Sequence, residues 1–477
     1  MIDCHPLALT LRSRVVDAGV VALFALVLMW AALWNGFPLI FPDSATYFGI
    51  AFEHQYAVDR SSFYGLILKP ILSTMPVMAG LWVGILAQCC AIAVVVMIAA
   101  RRLIPSWSCA RFLPLFALLA ITTSIAWHAG QYMPDAFTGV TVLLAWLAAS
   151  RDPSDDGAPA LWLAASVSAL MHYTHIPLLL AVSFVTIIFS PAATRRLRSL
   201  LRRGGAGLVS VGAAAAILVG ANGMLLGRWT LAPMAPAFLF ARLTEDGLTK
   251  PWLDENCGTI APHDLCAIRH DLADNSQVLL WNGGSPYANR IWHAPSDSER
   301  WRWVGMLATT NEGAIASRPL SFFQNSLRGA FRQFISFQAL DDECPHSCWS
   351  LDTGPANALA NYAPEALKFY RGSRQVNGTL PRTMIRSITT PVAIAAMLLV
   401  PLLFWQAVKR RDRLVQSLLA ALTVALIANA AVAGAMSDVH DRYQSRLVWL
   451  VPLTVALIVL RWRQTLSRSR ISLPGLK

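Results

Sequence analysis

Residues 81–100 read LWVGILAQCCAIAVVVMIAA and residues 205–226 read GAGLVSVGAAAAILVGANGMLL, and neither stretch holds a charged side chain. A helix rises about 1.5 Å per residue, so about twenty such residues cross a hydrocarbon core of about 30 Å. In lipid a run of this kind has to be helical, because no water is present to satisfy its backbone groups. The whole chain agrees with these two stretches. Of its 477 residues 55% are hydrophobic and 14% are charged, against about a quarter charged in a soluble domain. The sequence predicts an all-α polytopic membrane protein with roughly ten crossings.

The net charge of +12 would raise the question of nucleic acid in a soluble protein. Here the basic residues fall in short clusters between apolar runs, the pattern of cytoplasmic loops, and nucleic-acid binding is set aside. Arg12 and Arg14 precede the first apolar run, about 15–40, and place the N-terminus inside. That run is longer than a signal peptide's core and lacks a small-residue cleavage site, so it reads as a retained helix. Further clusters are Arg101/Arg102/Arg111, Arg195/Arg196/Arg198/Arg202/Arg203, Lys409/Arg410/Arg411/Arg413 and Arg461/Arg463/Arg468/Arg470. Each pair of inside clusters requires an even number of crossings between them. Helices at about 76–100, 112–128, 136–150, two short ones within 160–190, 205–226, 388–408, 414–436 and 445–461 satisfy that parity. The C-terminus then lies inside.

Three regions follow: an N-terminal bundle 1–226, an extracytoplasmic loop domain 227–387, and C-terminal helices with a tail, 388–477. The loop domain should be mixed and mainly helical, with 298–334 as one amphipathic helix. It holds Cys257, Cys266, Cys344 and Cys348. Their spacing suggests the bridges Cys257–Cys266 and Cys344–Cys348, favoured by an oxidising compartment. A four-thiolate zinc site is the alternative, although paired C-x-x-C knuckles are missing. Cys4, Cys89, Cys90 and Cys109 read as packing residues. Trp34, Trp127, Trp229 and Trp449 fall near outer boundaries, where an aromatic belt belongs.

Polar residues gather at the outer helix ends. One loop carries Pro42-Asp43-Ser44, then Tyr47, Asp59 and Arg60; another carries His128 and Met133-Pro134-Asp135. The short hairpin carries His172 and His175, and the last loop carries Arg442, Tyr443 and Arg446. Ionisable groups at membrane depth default to function. Asp43 also suits a helix N-cap, Asp135 a favourable charge at a helix start, and the arginines a snorkelling role at headgroups.

The Pro-Asp-Ser-x-x-Tyr setting of Asp43 resembles the GT-C superfamily of membrane glycosyltransferases. So do Met-Pro-Asp at Asp135, the broken hairpin, the Arg-Tyr pair and the large outer loop before the closing helices. Where several members place a Lys or Arg on the hairpin, this chain has His172 and His175. The resemblance implies a hexosyl- or pentosyltransferase of a bacterial inner membrane, taking sugar from a polyprenyl-phosphate donor to an envelope glycan or lipid acceptor. Asp43 would be the base, its pKa raised by partial desolvation, and Asp135 would orient the acceptor or help hold a metal. Tyr47, Arg60, His128, His172 and His175 would contact substrate, and Arg442 and Arg446 the donor phosphate. The sequence names no certain cofactor; a divalent metal on His172, His175, Asp43 and Asp135 stays open. The rival readings are a flippase or transporter of lipid-linked cargo, a non-catalytic assembly protein, and an acyl- or phosphate-group transferase.

Overall fold

The computed structural model describes residues 5–53, 55–151, 155, 157–190, 197–340 and 354–471, with side chains from 16 to 465 within these. Among the described residues all regular structure is helical apart from one isolated bridge, Leu39 to Gln131. Among the described residues six helices are long and apolar enough to cross a membrane: Val16–Asn35, Val77–Leu103, Leu197–Leu226, Arg382–Lys409, Arg413–Met436 and Asp441–Thr465. Four further crossings expected from the sequence correspond to shorter apolar helices, Cys109–Thr122, Pro134–Ala149, Ala158–Leu170 and His175–Phe189.

The helix ends fall into two groups. At one end Arg101 pairs with Asp17 at 3.0 Å and Arg461 with Asp412 at 2.8 Å. Ser106 there meets Gln464 at 2.9 Å, and Arg102 reaches the carbonyl of Ser150 at 3.4 Å. At the other end lie the segments 36–43, 129–135 and 436–441. This is the grouping that alternating helix directions produce.

Several boundaries differ from expectation, each for a local reason. The first run ends at Asn35 because Gly36, at φ +82°, takes the left-handed conformation that closes a helix. The chain then runs extended through Leu39, whose N–H and C=O bond Gly130 O and Tyr132 N at 2.9 Å each. The expected helix over 298–334 is two helices, Asp297–Ser317 and Pro319–Ile335. Arg318 leaves the helical region (φ −137°, ψ 56°) because the proline ring after it crowds that conformation. The last span begins earlier, at Asp441, and breaks near Trp449. Pro452 has no N–H to give the carbonyl of Val448.

Among the described residues two apolar clusters form. The larger joins the spans and takes in Leu359, Tyr370 and Leu380 from beyond the second cluster. The smaller holds Phe240, Trp252, Leu279, Tyr287, Trp303 and Leu307, all between 234 and 314. Cys257 and Cys266 are bonded there; Cys4, Cys344 and Cys348 lie outside the described residues. Cys89 and Cys109 are buried and free, and Cys90 is half-buried. Trp127 and Trp449 are core residues rather than belt anchors, while Trp229 is exposed. Trp127 stands edge-on to Trp30 at 5.2 Å, and Trp449 Nε1 donates to Arg446 O at 3.0 Å.

Helix Pro319–Ile335 packs against Arg413–Met436 backbone to backbone. A Cβ on Gly329 would collide with the carbonyl oxygen of Gly434, and one on Gly434 with that of Gly329. Gly434→Val should therefore destabilise the detergent-solubilised protein by roughly 1–3 kcal/mol, the usual cost of overpacking. Gly212, whose added Cβ meets nothing within 4 Å, is the control: Gly212→Ala should leave the thermal midpoint unchanged or raise it. Equal midpoints for Gly434→Val and the parent would remove this contact from the list of what holds the fold.

Candidate functional site

The segments 36–43, 129–135 and 436–446 converge, on two carboxylates of different standing. Asp43 follows the extended 36–41 segment. Its Oδ1 lies 2.8 Å from Arg60 Nη1 and its Oδ2 3.3 Å from Arg442 Nη1. The carboxylate is ion-paired on both sides. Its side chain keeps 25% exposure. Burial pushes this carboxyl's pKa up, yet the guanidiniums of Arg60 and Arg442 outweigh it and hold the pKa below the usual value. The expectation of a raised pKa is corrected: two cations beat partial desolvation. Arg60 is no surface charge; it bridges Asp43 and Asp59 and stands 5.9 Å from the ring of Tyr47.

Asp135 lies deeper. It and Arg446 are each 1% exposed, with Nη1 to Oδ1 at 2.9 Å. Arg446 Nη2 also donates to Asn429 Oδ1 at 3.0 Å and Thr174 Oγ1 at 3.2 Å. Arg446 therefore does not snorkel to headgroups. Asp135 Oδ2 and Arg446 Nε are buried without hydrogen-bond partners. Because the last span starts at Asp441, Arg442 and Arg446 sit one turn apart on the same helix face. The ring of Tyr443 lies 5.2 Å from one guanidinium and 5.3 Å from the other. Arg442 also lies 3.9 Å over the ring of Phe41.

The remaining expected site residues separate. His128 Nε2 meets Ser445 Oγ at 3.0 Å, and its Nδ1 is buried without a partner. His172 Nδ1 takes the N–H and hydroxyl of Thr174 at 3.2 and 2.8 Å. His175 is a core residue. Its Nδ1 must donate to the carbonyl of Ser168 at 2.9 Å, which leaves Nε2 to accept from Thr138 Oγ1 at 3.0 Å. Both ring nitrogens are used, so substrate contact by His175 is corrected. Tyr47 is likewise buried, edge-on to Tyr64 at 4.9 Å, as a wall beneath Arg60. The four-residue metal set finds no support. Among the described residues no group of three His, Cys, Asp or Glu side chains is placed to hold an ion.

Sequence reasoning missed the amides that hold these loops. Gln375 accepts from Ile40 N at 3.1 Å and donates to Ile40 O at 2.8 Å. Gln333 does the same to His440, at 2.9 and 2.8 Å. Gln88 donates to Ala129 O and Gln131 O at 2.9 Å each and accepts from Tyr64 Oη at 2.9 Å. Arg382 was missed too. It joins Phe41, Trp127, His128, Leu380 and Arg442 in lining a small cleft of about 40 Å³, open in part to solvent. A glutamine carries no signal of its partner, whether it stands in a helix, as Gln88 and Gln333 do, or in a turn, as Gln375 does. No family model, curated protein or solved structure matches the chain.

Removing one member of a buried pair strands the other charge, at roughly 3–5 kcal/mol. Asp135→Asn and Arg446→Met should each lower stability by about that much, and the double variant by much less than the sum. A thermal or denaturant series in detergent measures it; additive losses would show that the pair is not coupled.

Proposed function

We propose that the chain is a polytopic protein of a bacterial inner membrane with about ten crossings, the short apolar helices included, and that residues 227–387 form an extracytoplasmic loop domain. The two groups of helix ends support this topology. One carries Arg101, Arg102 and Arg461, as cytoplasmic ends do; at the other the arginines are paired with Asp43 and Asp135.

We infer further that it is a GT-C-like glycosyltransferase, moving a sugar from a polyprenyl-phosphate donor to a hydroxyl of an envelope glycan or lipid. The observation that carries this reading is Asp43: a partly open carboxylate between two arginines, one of which, Arg442, also lines the cleft. The cleft's walls mix Leu39, Phe41, Trp127 and Leu380 with Arg442 and Arg382. An apolar wall bearing guanidiniums matches a lipid phosphate, which needs both. In the reaction the acceptor oxygen attacks the anomeric carbon as the bond from that carbon to the phosphate oxygen breaks. Polyprenyl phosphate leaves with the electron pair, and Asp43 takes the acceptor's proton. With its pKa held low, Asp43 is a weak base at rest. Donor phosphate drawing Arg442 toward itself removes one of the two cations and strengthens the base when the substrate is in place. Asp135 acts as a positioning residue through Arg446, which holds the helix that presents Arg442.

The test is complementation of a deletion strain by Asp43→Asn, with envelope glycans and lipids profiled by mass spectrometry. Asparagine keeps the shape and removes the base. Loss of a sugar in the deletion, unrestored by an inserted Asp43→Asn protein, is the expected result. Full restoration would sink the base assignment and move transport or assembly ahead. Once a transfer assay exists, Arg442→Gln should move the acidic limb of kcat/KM to higher pH, because Asp43 loses a cation that lowers its pKa. An unmoved limb would assign the titration to another group.

A further inference from the structure

The helix Pro319–Ile335 turns large apolar side chains away from the protein. Leu320, Phe323, Leu327, Phe331 and Ile335 are all more than half exposed. Their spacing of three and four residues puts them on one continuous stripe. The opposite face is the buried one, where Gly329 meets Gly434 and Gln333 holds His440. Arg328 and Arg332 are exposed along one edge of the stripe, and the helix contains no Asp or Glu.

A monomer's exposed apolar stripe of this size calls for an occupant. Its position names one. The helix packs on Arg413–Met436, one of the six spans, at the Gly434 end, where that span itself exposes Met436. The stripe therefore continues a bilayer-facing surface, and the arginine edge suits lipid phosphate. We propose that helix Pro319–Ile335 is an interfacial lipid-binding helix, with the stripe among acyl chains and Arg328 and Arg332 on the headgroups of anionic phospholipid. The proposal rests on the six apolar spans and is independent of the transferase reading.

The test uses the full chain in nanodiscs. Phe323→Cys and Phe331→Cys, each labelled with an environment-sensitive fluorophore, are read against the equally labelled parent. Ile260→Cys, on an exposed residue of the smaller cluster's region, is the control. Lipids brominated near the headgroup end of the acyl chain should quench the 323 and 331 labels by about half or more, as expected for burial at the acyl boundary, and leave the 260 label unchanged. Arg328→Glu/Arg332→Glu should cut the number of phosphatidylglycerol molecules that stay bound in native mass spectrometry, without changing elution on size exclusion. Labels unquenched by bromolipid but open to iodide would overturn the proposal. Labels shielded from both would also overturn it, in favour of a protein partner. Quenching with unaltered phosphatidylglycerol binding would overturn the headgroup assignment.

Discussion

Asp135 and Arg446 are each 1% exposed, and a charge so far from water is tolerable only beside its opposite. That constraint orders the site end of the bundle. Asp135 stands at the start of Pro134–Ala149 and Arg446 in the last span. Asn429 comes from Arg413–Met436, and Thr174 from the break before His175–Phe189. Four segments distant in sequence are thus fixed to one another through a single guanidinium. The pair is not strong evidence for net stability, since apolar residues of the same shape can do as well. Its effect is geometric, because a misplaced helix would leave a charge unmatched.

On that frame the two loops that meet at Asp43 are held by amides. Gln375 pairs both backbone groups of Ile40, three residues before Asp43, and Gln333 pairs both of His440, two before Arg442. A carboxamide offers a donor and an acceptor side by side, so it completes a single extended residue much as a neighbouring strand would. Both glutamines come from the segment between the spans Leu197–Leu226 and Arg382–Lys409. That segment therefore supports the site's backbone, whatever else it binds, and the fit needs Gly329 and Gly434 to let the helices approach.

The parts of this arrangement that were legible in the sequence are those set by composition. Charge-free runs gave the long helices, and the polar residues at helix ends gave Asp43, Asp135, Arg442 and Arg446 as neighbours. What escaped depends on contacts between distant residues. The raised pKa expected for Asp43 followed from its depth alone; the two arginines that reverse it come from residues 60 and 442. His175 looked like a ligand until Ser168 and Thr138 used its ring. The single helix expected over 298–334 ignored the stiffness that Pro319 imposes on Arg318, which was readable locally.

Helix Pro319–Ile335 brings these strands together. Its outward stripe faces lipid, and its inward Gln333 fixes the residue two before Arg442. A rigid helix cannot shift on one face without shifting on the other. Arg442, in turn, is one of the two cations that keep Asp43's pKa low. The bilayer's proposed hold on the stripe is thus linked, through one helix and one amide, to the ionisation of the carboxylate proposed as base. On the proposed transferase reading, a lipid-linked donor would meet a site whose Arg442 is already positioned by the membrane.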